Sequence, residues 1–343
     1  MNPHYSHYLA LKMAHPKKYA RGLAALMGLS EAELTLARTD ADALSLKADI
    51  PAILAALESV GEIKSITRNE YAVHEQIGTF SNLHLGGHAG LVLNPRALDL
   101  RLFPAQWHSA FALAEQTDRG VRHSLQFFDR QGDAVLKVYA TVKTDMAAWT
   151  EAIARFRQPA PDELMLSAAP MPELAEQTDH VALEQEWRAM TDVHQFFGLL
   201  KKHRLSRQQA FRAVSDDLAC QIGNDALAQL LTQAQQDGNE IMIFVGNRGC
   251  TQIFTGVIEK LMPTAGWLNV FNAAFTLHLM SDRIHESWIT RKPTKDGIVT
   301  SLELFAEDGT QIAQLYGQRT EGMPEQAQWR RQIMALSDRG EAA

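Results

Sequence analysis

Apolar and polar positions recur along this chain with two periods, and the switch between them marks its architecture. From Tyr5 to Leu36 the period is helical. Tyr8, Leu11, Met13 and Tyr19 begin the apolar pattern, and Gly28-Leu29-Ser30 followed by Glu33 reads as a helix stop and then a capping box. A further helix is expected from Asp49 to Val60, with Pro51 in its first turn, where a missing N–H costs little, and Gly61 at its end. From Ile63 the pattern turns strand-like. The runs SITRNEYAVHEQIGTF, AGLVLN, ALDLRLF, HSLQFFD and AVLKVYATV are short, alternating or apolar, and separated by Gly, Asn and Asp. They predict a large antiparallel sheet. A closing helix over 146–157 carries Trp149, Ile153 and Phe156 on one side.

The segment QPAPDELMLSAAPMPELAEQTD then interrupts both periods. Four of the twelve prolines fall in it, at 159, 161, 170 and 172, the composition of a linker. Beyond it the first half recurs. Leu98-Asp99-Leu100-Arg101-Leu102 aligns with Phe275-Thr276-Leu277-His278-Leu279 at an offset of 177. At the same 177, FFDRQG from Phe127 aligns with LFAEDG from Leu304, and Tyr139 with Tyr316. Trp149 meets Trp329 at 180, a three-residue insertion around GQRTEGMPE making the difference. The chain is therefore expected to be a tandem duplication of one α+β module of about 160 residues. The first copy is assigned to 1–157, the linker to 158–180 and the second copy to 181–343.

The second copy opens on VALEQEWRAMTDVHQFFGLLKKH, read as one helix. Trp187, Met190, His194 and Phe197 recur at spacings of three and four, and Val193, Phe196 and Leu200 widen that stripe. His194 is thereby expected to point at, or along the edge of, apolar surface. Such a histidine is more often a hydrogen-bonded core residue than a ligand.

Composition acts mainly by exclusion. The hydrophobic fraction of 46% and charged fraction of 21% are those of an ordinary globular protein. A net charge of -7 argues against nucleic acid as a partner. Cys220 and Cys250 make neither a disulfide framework nor a metal or redox motif. No apolar run of about 18 residues exists, so no membrane insertion is expected. The N-terminal stretch lacks the apolar core of a secretory signal, which points to a cytoplasmic location.

Common catalytic fingerprints are absent: no phosphate-binding glycine loop, nucleophile elbow or zinc-protease helix motif. His84-Leu85-Gly86-Gly87-His88 reads as a turn rather than a metal site, and His123, His180, His203 and His285 show no partner. Arg101 is more informative, sharing a strand face with Asp99 and Phe103 in ALDLRLF; solvent is the favoured environment for that face. In QIAQLYGQR, Gln314, Tyr316 and Gln318 alternate to one side, with Arg319 just beyond. Lys292 precedes a turn and Arg207 opens a helix; each reads singly as a surface residue. Together such cations suit an anion with more than one carboxylate. Met242 and Phe244 alternate on one strand and supply apolar wall. A bound haem requires these residue types: an imidazole, flat apolar surfaces, cations for two propionates and a polar group across the iron.

Taken together, RNEYAVHEQIGTF, NPRALDLRLF, EWRAMTDVHQFFGLLKKH, DGNEIMIFVGNRGCTQIFTG and SLELFAEDGTQIAQLYGQRTEG resemble the HemS/ChuS family of cytoplasmic haem-utilisation proteins of Gram-negative bacteria. The resemblance spans essentially the whole chain. It implies an α+β fold of two similar halves, each a large antiparallel sheet flanked by helices, with haem b bound in a cleft between them. It implies His194 as the proximal iron ligand and Arg101 on the distal side. Arg207, Lys292, Gln314, Tyr316 and Arg319 then fall on the propionate side, and Phe103, Met242 and Phe244 in the apolar lining. The implied activity is that of a haem oxygenase: oxygen-dependent ring opening that releases iron for iron acquisition, with electrons from an external donor. The alternatives are a haem carrier or store that hands haem on intact, and a reductive, oxygen-independent ring opening. An inner-membrane haem importer is a further partner the resemblance suggests.

Overall fold

The computed structural model describes residues 3–39, 41–86, 89–320 and 322–340. Its helices are α1 (Pro3–Ala14), α2 (Ala20–Leu26), α3 (Glu31–Leu36), α4 (Ile50–Ala56), α5 (Met146–Phe156), α6 (His180–Arg188), α7 (Gln195–His203), α8 (Arg207–Arg212), α9 (Ala226–Asp237) and α10 (Ala327–Gly340). The strands of the first half are β1 (Ala43–Leu46), β2 (Gly61–Arg68), β3 (Ala72–Thr79), β4 (Leu83–Gly86), β5 (Ala89–Leu93), β6 (Asp99–Leu102), β7 (Trp107–Thr117), β8 (Gly120–Asp129) and β9 (Ala134–Thr144). Those of the second are β10 (Ala219–Ile222), β11 (Ile241–Gly246), β12 (Cys250–Gly256), β13 (Leu261–Thr264), β14 (Trp267–Phe271), β15 (Phe275–Leu279), β16 (Glu286–Thr294), β17 (Gly297–Phe305) and β18 (Gln311–Gly317). They belong to two nine-stranded sheets. No described helix is long and apolar enough to cross a membrane.

The chain divides into two compact units. The first comprises 1–68, 75–170 and 246–252; the second comprises 69–74, 171–245 and 253–343. In the first, strands run β1-β7-β8-β9-β2, all antiparallel, and β4-β5-β6 form a separate meander. One face of the larger ladder packs on α4, the turn after it and α5 through Ile53, Leu54, Leu57, Trp149 and Phe156. On the other face Ala32 of α3 joins Phe111, Leu113 and Phe128, and Tyr8, Leu23 and Leu34 pack α1, α2 and α3 together.

The second unit repeats this plan. Its ladder runs β10-β16-β17-β18-β11, with β13-β14-β15 as the meander. Leu227, Leu230, Trp329 and Ile333 of α9 and α10 pack on one face. Leu183, Trp187, Phe196, Leu199 and Phe211 of α6, α7 and α8 cover the other. The registers fix the equivalences: Ala43 pairs with Leu113 as Ala219 pairs with Thr290, preserving the offset of 177 between Leu113 and Thr290.

Local expectations hold at several points. Ser30 and Glu33 close a capping box at α3, and Ser206 and Gln209 repeat it at α8. Gly28, at φ 68°, ends the turn after α2, where the left-handed region favours glycine. The expected helix to Val60 stops at Ala56 and continues as a 3-10 turn to Val60, with Gly61 at φ 74°. The turn expected at His84–His88 lies in the β4–β5 hairpin, closed by Gly86 opposite Ala89; Gly87 and His88 themselves lie outside the described residues.

Two expectations need correction. Residues 107–117 were not among the expected strands. They form β7, one of the longest strands, buried on both faces: Ala110 and Ala112 on one side, Phe111 and Leu113 on the other. The single helix expected over 181–203 is two, α6 and α7. Between them, polar side chains capture the backbone: Gln195 Oε1 accepts from the N–H of Thr191 (2.8 Å), and Asp192 Oδ1 accepts from the N–H of His194 (2.8 Å). Such local bonds compete with helical ones. The stripe splits accordingly: Trp187, Met190, Phe196 and Leu200 are buried, whereas Phe197 is 73% exposed.

Candidate functional site in the second unit

The break between α6 and α7 determines how His194 is presented. It sits at the N-cap of α7 with its side chain 90% exposed, rather than against the core. Its Nδ1 lies 2.7 Å from Asp192 Oδ1. The backbone N–H and ring of His194 hold the Asp192 carboxyl below its ordinary range, so Asp192 is ionised and the imidazole Nδ1–H must donate to it. That leaves Nε2 on the exposed side of the ring. An imidazole tied to a carboxylate through one nitrogen and open at the other is the usual arrangement of a metal-ligating histidine. Phe197, three residues on and exposed, adds apolar surface on the same helix.

Beneath α7 the ladder turns one face toward the helices, and register places most of the named residues on it. Met242 pairs with Tyr316, and Phe244 with Gln314. Tyr316 pairs in turn with Ser301, and Gln314 with Glu303. Thr290 faces Ser301, with Lys292 two residues along the same face. Phe244 meets the Tyr316 ring edge-on at 5.1 Å.

Glu303 is the centre of this face, and it was not among the candidates. It is fully buried and accepts from Lys292 Nζ at 2.7 Å, Arg207 Nη1 at 2.9 Å and Gln311 Nε2 at 2.8 Å. Burial would raise its pKa; Arg207 and Lys292 overcome that and hold it at about 2. A relay continues outward. Gln314 donates to Gln311 Oε1 (2.6 Å), and the half-buried Tyr316 hydroxyl donates to Gln314 Oε1 (2.8 Å). Burial, and then Glu303, push the Tyr316 phenol up, so it stays protonated as a donor. Arg319, just beyond β18, exerts its charge on that hydroxyl. Glu303 was detectable in SLELF by its phase with Ser301, but only register shows that Lys292 shares its face.

The reading of Lys292 as a surface residue is corrected: it is 2% exposed and its ammonium lies 4.8 Å over the Phe196 ring. Arg207 stands over the same ring at 5.2 Å. Two residues from His194, Phe196 therefore ties the histidine's helix to the charged face. Arg207, Lys292 and Arg319 outnumber Glu303, and the surplus positive charge suits an anionic ligand.

Arg101 and Phe103 lie in the first unit. Arg101 is half-buried on β6, its guanidinium bonded to the Asp99 carboxylate and, at 3.2 Å, to the Leu100 carbonyl. Asp99 lies 2% exposed beneath it, its pKa raised by burial against the opposing charge of Arg101. Phe103 is 37% exposed and begins the turn after β6 rather than continuing the strand. Among the described residues no cluster of His, Cys, Asp and Glu is suited to a bare metal ion.

The pattern of the haemin-degrading HemS.ChuX domain matches twice, over residues 28–156 and 204–336. The chain belongs to the HemS/ChuX family. It is 65% identical over 340 residues to the hemin transport protein HmuS of Yersinia pestis, covering 99% of both chains. Among solved structures, the heme degrading enzyme ChuS of Escherichia coli O157:H7 matches with a TM-score of 0.94 at 65% identity, over 97% of this chain and 98% of that one. ChuS has also been described as a heme oxygenase. PhuS, a heme-binding protein from Pseudomonas aeruginosa, matches with a TM-score of 0.93 at 40% identity, over 97% and 98%. Two copies of one domain in this fold account for the repeat of sheet and helix order.

Proposed function

We propose that this family member binds haem through His194 and opens the porphyrin ring to release iron. The observation that carries the reading is the His194 imidazole, fixed through Nδ1 by Asp192 and open at Nε2 beside the exposed Phe197. The face formed by Arg207, Lys292, Gln314, Tyr316 and Arg319, with its excess of positive charge, supports propionate recognition; Met242 and Phe244 supply apolar contact. In this reading Lys292 acts by orienting Glu303 and Arg207. Arg101, steered by Asp99, is the guanidinium assigned to turnover, and Phe103 contributes exposed ring surface. Ring opening draws its chemistry from haem, oxygen and electrons from an external donor. The chain's own contribution is to orient the ring, neutralise the propionates and hold a guanidinium in place.

The description of ChuS as a heme degrading enzyme favours degradation; that of HmuS as a hemin transport protein favours delivery of intact haem by the same residues. The deciding experiment is a hemin titration of the purified chain followed by reductant, with and without air. Loss of the Soret band with a bilin product in air supports the oxygenase. A stable spectrum under both conditions overturns it in favour of the carrier, and loss without air shows reductive opening. Arg101→Ala is expected to slow turnover more than it weakens binding, and unchanged turnover removes Arg101 from the reaction.

A further inference from the structure

Residues 1–30 contain Lys12, Lys17, Lys18 and Arg21 and no Asp or Glu, although the whole chain has a net charge of -7. The next carboxylates along the chain are already engaged. Glu31 is held by Arg68 and Lys137, and Glu33 accepts the Ser30 N–H of its capping box at 2.7 Å. The second unit treats the corresponding helices differently. There Arg188 pairs with Glu184 and Asp217, and Lys202 pairs with Glu186, so these cations are matched where they stand. The first unit instead leaves Lys12, Lys17 and Lys18 exposed on a segment without carboxylates.

Apolar side chains share this surface. α1 turns Tyr8 inward against Leu23 and Leu34. Leu9 and Met13, four residues apart, lie together on a face turned away from that core, and Met13 is 84% exposed. A tight turn follows, in which the His15 N–H donates to the Leu11 carbonyl (2.8 Å) and the Lys18 N–H to the His15 carbonyl (3.0 Å). It sets Lys17 and Lys18 directly after the helix and ends on Tyr19, 87% exposed at the N-cap of α2. Exposed apolar side chains beside cations without carboxylates suit an anionic lipid bilayer. Its spread negative charge attracts basic residues without any fixed pairing geometry. Just beneath the headgroups lies apolar material for Leu9 and Met13, and tyrosine favours the headgroup level itself. An acidic protein surface offers the charge but not the apolar layer.

We propose that α1 and the turn to Tyr19 form a reversible docking surface for an anionic lipid membrane, with Lys12, Lys17 and Lys18 at the headgroups and Leu9 and Met13 dipping beneath them. The contact lies on the membrane surface and is independent of the haem reading. Flotation of the full chain with phosphatidylcholine vesicles, with and without phosphatidylserine, tests it. Binding to the anionic vesicles should exceed binding to the neutral ones at least about tenfold, and should fall as salt rises. Lys17→Gln with Lys18→Gln should weaken it about twentyfold, or about fivefold for each basic residue lost. Met13→Ser should weaken it about threefold or more. Lys201→Gln with Lys202→Gln removes the same charge from α7 of the second unit and should change binding less than about twofold. All five side chains are exposed, so the fold is not at stake. Equal binding to neutral vesicles, or equal weakening by the two lysine pairs, would overturn the proposal. So would absence of binding to the anionic vesicles; if polyglutamate still captured the chain, the surface would belong to an acidic protein instead.

Discussion

On the helix-covered face of the first unit's ladder, cations and carboxylates close on one another. Glu31 takes both Lys137 and Arg68, Glu115 bridges Arg38 and Arg122, and Lys64 meets Glu75. Burial pushes the Tyr139 phenol up to about 12, under Lys64 and Arg122 at 5.7 and 5.6 Å. The equivalent face of the second unit keeps a buried carboxylate between two cations but reverses its origin. The helix contributes Arg207 where the first unit has Glu31, and the strand contributes Glu303 where it has Gln126. Both faces carry more of these cations than carboxylates, and the second unit adds the exposed imidazole of His194, tied to Asp192 through Nδ1 and open at Nε2. Tyr19 is the N-cap residue of α2 as His194 is of α7. The duplication thus supplied the same ladder twice, with changed residues at a few positions on one face of one copy.

The largest effect that bears on this comparison comes from Glu303→Leu. It strands Lys292 as an unpaired buried charge and should cost about 3–5 kcal/mol in denaturant unfolding. Adding Lys292→Met should recover most of that loss while still weakening hemin binding. Glu31→Leu with Lys137→Met, the matching change in the first unit, should leave hemin binding intact; equal weakening by both pairs would erase the distinction between faces.

Acid should act on both units. Glu31 and Glu303 are each held at about 2, below the ordinary 4.5, by paired cations that overcome burial. A carboxyl with a depressed folded pKa contributes stability that is full above its unfolded value and is lost as pH falls toward the folded one. Each should contribute about 3 kcal/mol at pH 7, lost between about pH 4.5 and 2. Unfolding measured across that window should show a flatter profile for Glu303→Gln; an unchanged slope would mean that Glu303 does not titrate with folding.

The capping boxes give a matched control. Ser30→Ala and Ser206→Ala should each cost about 1 kcal/mol in thermal unfolding, with little difference between them. The smallest stability effect belongs to His194→Ala, within about 0.5 kcal/mol because the side chain is exposed. Its hemin spectrum should nevertheless change, whereas that of Tyr19→Ala should not. An unaltered spectrum for His194→Ala would remove it as the iron ligand.

Much of this architecture was legible in sequence because the patterns that encode it are local. The capping box at Ser30, the closing helix with Trp149 and the alternating run at Arg101 need only neighbouring residues to be recognised. The offset of 177 then revealed the duplication without any structure. What escaped depends on partners distant along the chain. Residues 107–117 went unassigned, and the pairing of β1 and β8 on their two edges is what makes them a strand. Lys292 looks exposed until register places Glu303 beside it, eleven residues away. The loop at Thr191–Asp192 was hidden differently: its residues fit a helical stripe, and only their side-chain bonds to the backbone decide against it.

The strand order of the ladder also sets a schedule for its formation. β7, β8 and β9 follow one another through tight turns, one of which has Gly120 at φ 104°, so they can zip locally. The outer strands must return from far away, since Ala43 pairs with Leu113 and Lys64 with Tyr139. Closing such long loops is entropically slow, and proteins dominated by them fold orders of magnitude more slowly than those rich in local contacts. Until β1 and β2 arrive, the three-stranded meander has both edges unpaired. A chain built by duplicating this ladder therefore also inherited, twice over, an interval in which open strand edges invite pairing with the wrong copy.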